Sequence, residues 1–238
     1  MRTNYSIKKL IFIASLAAIS VVFGIFEIPL GLPWLKLDIS ELAVLVAAIV
    51  LGYKNAILLI FVRGIFRQLF QGQILLPDQL VGEAIAMIAS GVILTTYYLT
   101  SKLIGTYKKP LLIESVVDPK PISKKELFAT TLSITLALTV ILITLNILFL
   151  TPIYLSAFSF TYAGTDQGAY VQLTRFHFSI FTLLDDPGMA NIFFTDLSSL
   201  RLYVTFIIVN YVPLNLSKGL ITSMLFLPIK STLEKVEL

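Results

Sequence analysis

The chain contains no cysteine, which excludes disulfide bonds, thiolate metal sites and a cysteine nucleophile. Its single histidine, His177, cannot form a metal site alone, and we expect it at the surface or in a cap. The motifs GxxxxGK(S/T), GxSxG, HExxH and CxxC are all absent. The sequence therefore predicts no catalytic residue and no cofactor, and any coupling to ATP must come from a partner.

Charged residues are also scarce, at 13% of the chain, whereas soluble domains carry about 25%. Hydrophobic residues make up 57%. The basic residues stand in clusters between apolar segments, a distribution typical of membrane topology and not of nucleic-acid binding. This composition predicts an integral protein of the lipid bilayer.

Six apolar segments follow one another along the chain, and a membrane-spanning helix needs about 20 such residues. They cover approximately residues 8–27, 40–52, 55–70, 80–103, 127–150 and 200–227. The second and third are short, and Pro213 predicts a kink or break in the sixth. We expect an all-α membrane protein, a single bundle of six transmembrane helices over residues 1–238. The first segment is longer than the apolar core of a signal peptide, so we expect it to be retained.

The distribution of lysine and arginine predicts the orientation. With the N-terminus in the cytoplasm, twelve of the 18 basic residues fall on the cytoplasmic side, five on the outer side and one, Lys218, within the membrane. Both termini are therefore expected in the cytoplasm of a multi-pass protein in the bacterial plasma membrane.

Two connections are long enough to need an interpretation. The polar stretch at about 105–126 is predicted to be a cytoplasmic linker. The stretch at about 151–199 is predicted to be an extracellular loop, and its many aromatic residues argue against simple disorder. A cap or re-entrant segment over an outward-facing pocket and an insertion without a role are the two interpretations that remain open.

Polar residues at the start of the second and fourth segments are candidates for a binding site, because polar groups in a bilayer usually face a cavity or a partner. In the stretch LKLDISEL, Asp38 and Ser40 are placed to cap a helix and Glu41 to favour its dipole, so capping and ligand contact are both open. Glu83 lies about one turn inside the fourth segment, where a pairing or cavity role is expected.

Arg63 and Arg67 are four residues apart and share one helix face. Their guanidinium groups have three possible roles: reaching the outer surface, pairing with Asp38, Asp78 or Glu83, or binding a substrate carboxylate or phosphate. Structural pairing is the favoured interpretation, with ligand binding as the alternative.

Asn215 and Lys218 in the stretch NYVPLNLSKGL share a face of the sixth segment. Lys218 is too deep for a surface charge, so we expect it either to contact a ligand or to pair with a carboxylate such as Glu83. An amide and an ammonium together suit a polar, ring-bearing molecule rich in carbonyl and hydroxyl groups.

Ala14 and Ala18 form a small-residue face on the first segment, which allows another helix to approach closely. The neighbour is either another helix of this chain or a separate subunit.

The stretches LKLDISELAVLVAAIVLGYKNA, VGEAIAMIASGVIL and VPLNLSKGLITSML, in this order, together with Ala14-x-x-x-Ala18, resemble the substrate-binding S components of energy-coupling factor (ECF) vitamin transporters. The resemblance is closest to the riboflavin-specific branch. It implies six helices with cytoplasmic ends, a vitamin pocket near the outer face, and assembly with a transmembrane coupling (T) subunit and two ATPase subunits. It also implies that Asn215 and Lys218 contact the ligand.

The resemblance and the candidate residues together predict a vitamin-capturing subunit that is not an enzyme, with riboflavin or a related flavin as substrate. Substrate-binding residues are expected to be Asn215, Lys218, Glu83, Asp38, Arg63 and Arg67. Folate, or a phosphorylated flavin, is the alternative ligand that would use the arginines. A stand-alone transporter with a proton carried by Asp38 or Glu83 is the alternative mechanism.

Overall fold

The computed structural model describes residues 2–29, 35–71, 76–111 and 122–235 of the chain. Helices dominate these ranges. Residues 112–121 of the predicted linker at about 105–126 lie outside the described residues, and its last residues, from Lys124, already belong to the next helix.

The long helices follow the predicted apolar segments. They are α1 (Arg2–Ile25), α2 (Glu41–Val50), α3 (Tyr53–Gln71), α4 (Pro77–Leu103), α5 (Lys124–Leu145), α6 (Thr151–Thr161) and α8 (Leu200–Leu233). Two short strands, β1 (Ile28–Pro29) and β2 (Lys36–Leu37), pair antiparallel between α1 and α2. The stretch after α6 contains only the short helix α7 (Ile180–Leu183) and two 3-10 turns, Gln167–Tyr170 and Pro187–Asn191.

By length and composition, four helical stretches among the described residues can cross a bilayer: Ile7–Ile25, Pro77–Leu103, Lys124–Thr161 and Leu200–Leu233. The helix α2 has only 10 residues and is too short to span alone. The helix α3 has 19 residues but carries two buried arginines. The count of six spans therefore stays a prediction, although all six predicted segments are helical.

The fifth segment is longer than predicted, and the loop expected from Thr151 begins only after Thr161. A π-helical turn, Asn146–Leu150, joins α5 to α6 without a break, so Lys124–Thr161 is one continuous rod. Pro152 lies inside this rod and cannot donate a backbone hydrogen bond, and the Tyr203 hydroxyl donates to the carbonyls of Asn146 and Ile147 at 3.1 and 3.2 Å. The sixth segment also continues through Pro213 as one helix, so the break is wrong and the kink stays a prediction.

Close packing of α5 against α8 forms the centre of the bundle. At Gly219 a Cβ atom would lie 2.6 Å from the Cα of Thr135, so only glycine permits this approach. At the end that holds Lys102, Lys230 pairs with Glu126 between the two helices. These contacts fix the face of α8 that carries Asn215 and Lys218.

Candidate binding cavity

A cavity of about 190 Å³ lies in the bundle at the end remote from Lys102. Helices α3, α4, α5, α6 and α8 and the hairpin between α1 and α2 all contribute to its wall. Four carboxylates line it: Glu27, Asp38, Asp78 and Glu83. Three cations also line it: Lys36, Arg67 and Lys218. So many charges inside an apolar bundle indicate a built polar site.

Lys218 is paired within the protein. Its Nζ lies 2.8 Å from Glu41 Oε1 and 3.8 Å from Asp38 Oδ1. Asp38 Oδ1 also accepts hydrogen bonds from the backbone N and the hydroxyl of Ser40, at 3.0 and 2.7 Å. The predicted pairing partner Glu83 is therefore wrong, and Ser40 makes no side-chain capping bond to α2. Asp38 and Glu41, at the start of α2, both lie close to the Lys218 ammonium group because this helix begins inside the bundle.

Arg67 is the hub of the cavity's charges. Its guanidinium donates to Glu27 Oε1 at 2.9 Å and lies 3.6 Å from both Asp38 Oδ2 and Glu83 Oε2. Gly24 makes room for it, because a Cβ atom there would come within 3.1 Å of the guanidinium carbon. The favoured interpretation of Arg67 as a pairing residue is thus borne out by its contacts.

Arg63 is fully buried behind the wall and is not among the residues that line the cavity. It donates to the hydroxyl of Ser40 at 3.2 Å and to that of Ser90 at 3.0 Å. Both hydroxyls in turn donate hydrogen bonds to carboxylates: Ser40 to Asp38 and Ser90 to Glu41. The structure therefore places Arg63 as a support for the charged network.

The charges of this network nearly cancel. Including Glu41 and Arg63, five carboxylates face four cations. A buried cation without a partner would attract an anion, but each cation here already has carboxylate or hydroxyl partners. The site therefore suits a neutral guest better than an anionic one.

Several buried polar atoms of the wall have no hydrogen-bonding partner among the described residues. They are Asn215 Nδ2, Glu83 Oε1, Gln68 Oε1 and Asp78 Oδ1. Such an atom destabilises a protein by about 1–3 kcal/mol unless a ligand or water satisfies it. The amide supplies a donor and the other three atoms supply acceptors, so they suit a guest that has both kinds of group.

Two aromatic side chains, Tyr154 on α6 and Tyr211 on α8, complete the wall. The Tyr211 hydroxyl accepts a hydrogen bond from Thr151 Oγ1 at 3.2 Å, which holds the two helices in register. Aromatic faces beside polar atoms suit a flat heteroaromatic ring.

The loop after α6 supplies no lining residue to the cavity among the described residues from 162 to 199. Its nearest link is the Tyr162 hydroxyl, which donates to Asp78 Oδ2 at 3.5 Å. Of the two open interpretations, the cap over the pocket therefore gains no support from the lining of the cavity. Instead, the loop packs on α6 and α8, where Val171, Leu183 and Ile192 join one apolar cluster. His177, predicted at the surface or in a cap, is fully buried inside this loop.

Most of the candidate residues from the sequence meet at the cavity. Those that line it are Asp38, Arg67, Glu83, Asn215 and Lys218. Ala14 and Ala18 lie together on the exposed side of α1, while Ala17 faces the bundle, so the small-residue face does not pack inside this chain among its described residues.

Sequence reasoning missed Glu27, Gln68, Asn146, Tyr154 and Tyr211 as wall residues. Asn146 could have been found, because it is an isolated amide in an otherwise apolar segment. Glu27 follows the first segment and resembles an ordinary surface charge. The two tyrosines carry no signal in the sequence, because tyrosine is common in membrane helices.

Comparison with known proteins supports the resemblance drawn from the sequence motifs. No family model matches the chain. The riboflavin transporter RibU of Streptococcus thermophilus is 26% identical over 185 residues, which are 75% of each chain. A solved structure of the S component of a bacterial ECF transporter superposes with a TM-score of 0.57 at 21% identity and covers 97% of both chains. The chain thus has the fold of that S component, and its resemblance to the riboflavin branch is confirmed.

Proposed function

We propose that this chain is the substrate-capturing S component of an ECF-type importer and that its cavity binds riboflavin or a related neutral flavin. The observation that carries the proposal is a cavity whose charges nearly cancel and whose wall holds an unpartnered donor and unpartnered acceptors among the described residues. The similarity to a riboflavin transporter supports the same substrate class. Like its relatives, the chain would act by binding and not by catalysis.

The charge balance separates the flavin from the alternative anionic ligands. Folate or a phosphorylated flavin would need a free cation, and Arg67 already lies against three carboxylates. An entering carboxylate would have to displace one of them and leave it buried without a partner, which typically destabilises by about 3–5 kcal/mol. A neutral guest leaves every ion pair in place.

A flavin matches the unpartnered atoms. Its ring carbonyls accept hydrogen bonds, and its ring N–H and ribityl hydroxyls donate them. Asn215 Nδ2 is a free donor, and Glu83 Oε1 is a free acceptor among the described residues. Lys218 has three N–H groups, and its two carboxylate neighbours leave one of them for a ligand carbonyl.

The proposal includes the partners and the topology that an S component implies. The exposed face of Ala14 and Ala18 would contact the T subunit, and two ATPase subunits would supply the energy. Six spans, cytoplasmic termini and a place in the bacterial plasma membrane belong to the same proposal. The stand-alone alternative requires Asp38 or Glu83 to carry a proton. The similarity to a riboflavin transporter and to an S component supports the ECF assembly over this alternative.

Equilibrium binding to the purified chain tests the ligand. We expect riboflavin fluorescence to be quenched on binding, and folate not to compete. Competition by folate at similar concentration would favour the anionic alternative, and no binding of either vitamin would refute the proposed function.

Co-isolation from native membranes tests the partners. We expect Ala14→Trp with Ala18→Trp to abolish co-isolation of the ATPase subunits and to leave riboflavin binding intact, because the bulky rings block a close helix approach. Leu136→Trp, at an exposed position on α5, is the matched control. Co-isolation that survives the alanine replacements would contradict this interface.

A further inference from the structure

We call the loop of residues 162–199 the cap, although it does not line the cavity. It exposes aromatic rings that its own packing does not bury. Phe160 at the end of α6 and Phe176 and Phe178 in the cap form one cluster, here called the aromatic ledge. Ring centroids lie 6.1 Å apart for Phe160 and Phe176 and 4.9 Å apart for Phe176 and Phe178. Phe160 and Phe178 are 60% and 70% exposed. Contiguous exposed aromatics usually mark a contact surface.

The ledge is held in place by the residue between its two cap members. His177 is fully buried, its backbone N donates to Ser156 Oγ at 2.9 Å, and its Nε2 lies 2.9 Å from Asp186 Oδ2. With His177 pointing inward, Phe176 and Phe178 point outward on an extended stretch. The exposure of these rings is therefore built into the packing of the cap and does not result from a loose loop.

The rod that carries the ledge exposes apolar side chains over most of its length. Leu132, Leu136 and Val140 are exposed along α5. Phe149 and Phe160 are exposed further along the same rod, beside and beyond the π turn. Exposed apolar side chains therefore recur along this rod as far as the ledge.

The depth of the ledge follows from its contacts with α4. Thr161 Oγ1 accepts a hydrogen bond from the backbone N of Asp78 at 3.4 Å. At 1.5 Å per residue, Asp78 stands about 36 Å along α4 from Lys102. The Lys102 ammonium lies over the Tyr98 ring at 4.4 Å, and such a lysine–tyrosine pair is typical of a membrane boundary. The hydrocarbon core is about 30 Å thick and the whole bilayer about 40–45 Å, so the ledge lies at the level of the far headgroups.

We propose that the cap is seated in the headgroup region of the bilayer through the aromatic ledge, so that the partner of this surface is phospholipid. Phenylalanine side chains of interfacial segments bury at the boundary between headgroups and acyl chains. The exposed Arg175 stands next to Phe176 and supplies a cation for lipid phosphate. This role explains why the cap is packed on the bundle and rich in aromatic residues but supplies no lining residue to the cavity, and it does not depend on the identity of the ligand.

Depth-dependent quenching tests the placement. The chain has a single tryptophan, Trp34, so Trp34→Phe gives a silent background for Phe178→Trp. In proteoliposomes we expect phospholipids labelled near the headgroup to quench this reporter more than lipids labelled at the chain end or aqueous iodide. Leu132→Trp is the matched control and should be quenched most by the chain-end label. Quenching of the Phe178→Trp reporter mainly by iodide, or mainly by the chain-end label, would overturn the proposal.

The unaltered protein offers a second readout that does not depend on how the variants fold. After reconstitution with a phospholipid that carries a photoactivatable group near its phosphate, we expect adducts on the peptide that contains Phe176 and Phe178. Adducts confined to the helices, with this peptide unmodified, would contradict the proposal.

Discussion

The unpartnered amide of Asn215 allows a prediction that separates binding from stability. Asn215→Leu removes a buried donor whose desolvation is not repaid in the ligand-free protein. We expect the free energy of unfolding to rise by about 1 kcal/mol, at the low end of the usual range for an unsatisfied buried group. The low value is chosen because the leucine side chain also has to fit beside the cavity. For a chain of this size that corresponds to a rise in Tm of about 2–4 °C. The same change removes two amide hydrogen bonds to the ligand, or about 2 kcal/mol, which is roughly a 30-fold loss of riboflavin affinity.

Thermal unfolding in detergent and riboflavin titration measure the two effects on one preparation. Asn210→Leu is the matched control, because Asn210 lies on the same helix, outside the cavity wall, and its Nδ2 donates to the backbone of Phe206 at 2.8 Å. We expect this control to lower Tm and to leave affinity unchanged. The reasoning fails if Asn215→Leu keeps the original affinity, or if it destabilises the ligand-free protein as much as Asn210→Leu does.

Three further predictions concern packing and charge. Arg67→Met should lower stability by about 3–5 kcal/mol in chemical unfolding because it strands buried carboxylates, whereas Lys36→Met, which removes an exposed partner of Glu27, should change it by less than about 1 kcal/mol. Gly219→Ala should lower Tm, since overpacking of this kind typically costs about 1–3 kcal/mol, whereas Gly91→Ala meets open space and should be neutral or stabilising. Asp186→Asn should expose the cap to proteolysis without loss of riboflavin binding.

The outcomes that would contradict these predictions are equally specific. Equal effects of the two methionine replacements would show that the guanidinium is not the hub of the network. A neutral Gly219→Ala would show that the two central helices are not in close contact there. Loss of riboflavin binding with Asp186→Asn would mean that the cap takes part in the site.

The pH dependence of the cap follows from the same carboxylate. Burial raises the pKa of Asp186, but hydrogen bonds from Thr174, His177 and the backbone of Gly188 outweigh it and lower the pKa to about 2. A lowered pKa in the folded state contributes stability above the ordinary value near 3.8, and this contribution is lost as the pH falls toward 2. Resistance of the cap to an acid-active protease should therefore persist at pH 5 and decline between about pH 4 and pH 2.

The sequence was sufficient for the helices because each segment carries a long apolar run, and for five wall residues because polar groups are rare in such runs. It could not assign the ion pairs. Lys218 was expected near Glu83, but α2 starts inside the bundle and brings Glu41 closer. That geometry depends on how helices pack, which neither spacing nor composition encodes.

The loop after α6 shows a second limit. The fifth segment was expected to end at about Leu150, yet the π turn carries the rod through to Thr161. The aromatic richness of the loop argued against simple disorder, and both a cap over the pocket and an insertion without a role were left open. Only the positions of the rings in the fold show that they face outward.

The π turn at Asn146–Leu150 also has a consequence for how the family of such chains can vary. A π turn holds one residue more than an α turn, and a single residue rotates everything beyond it by about 100° about the helix axis. Deleting Ile147 would restore a regular helix and carry Tyr154 off the wall without changing the identity of any residue that lines the cavity. The shape of the cavity can therefore change through chain length alone, at a site where a comparison of lining residues would show no difference.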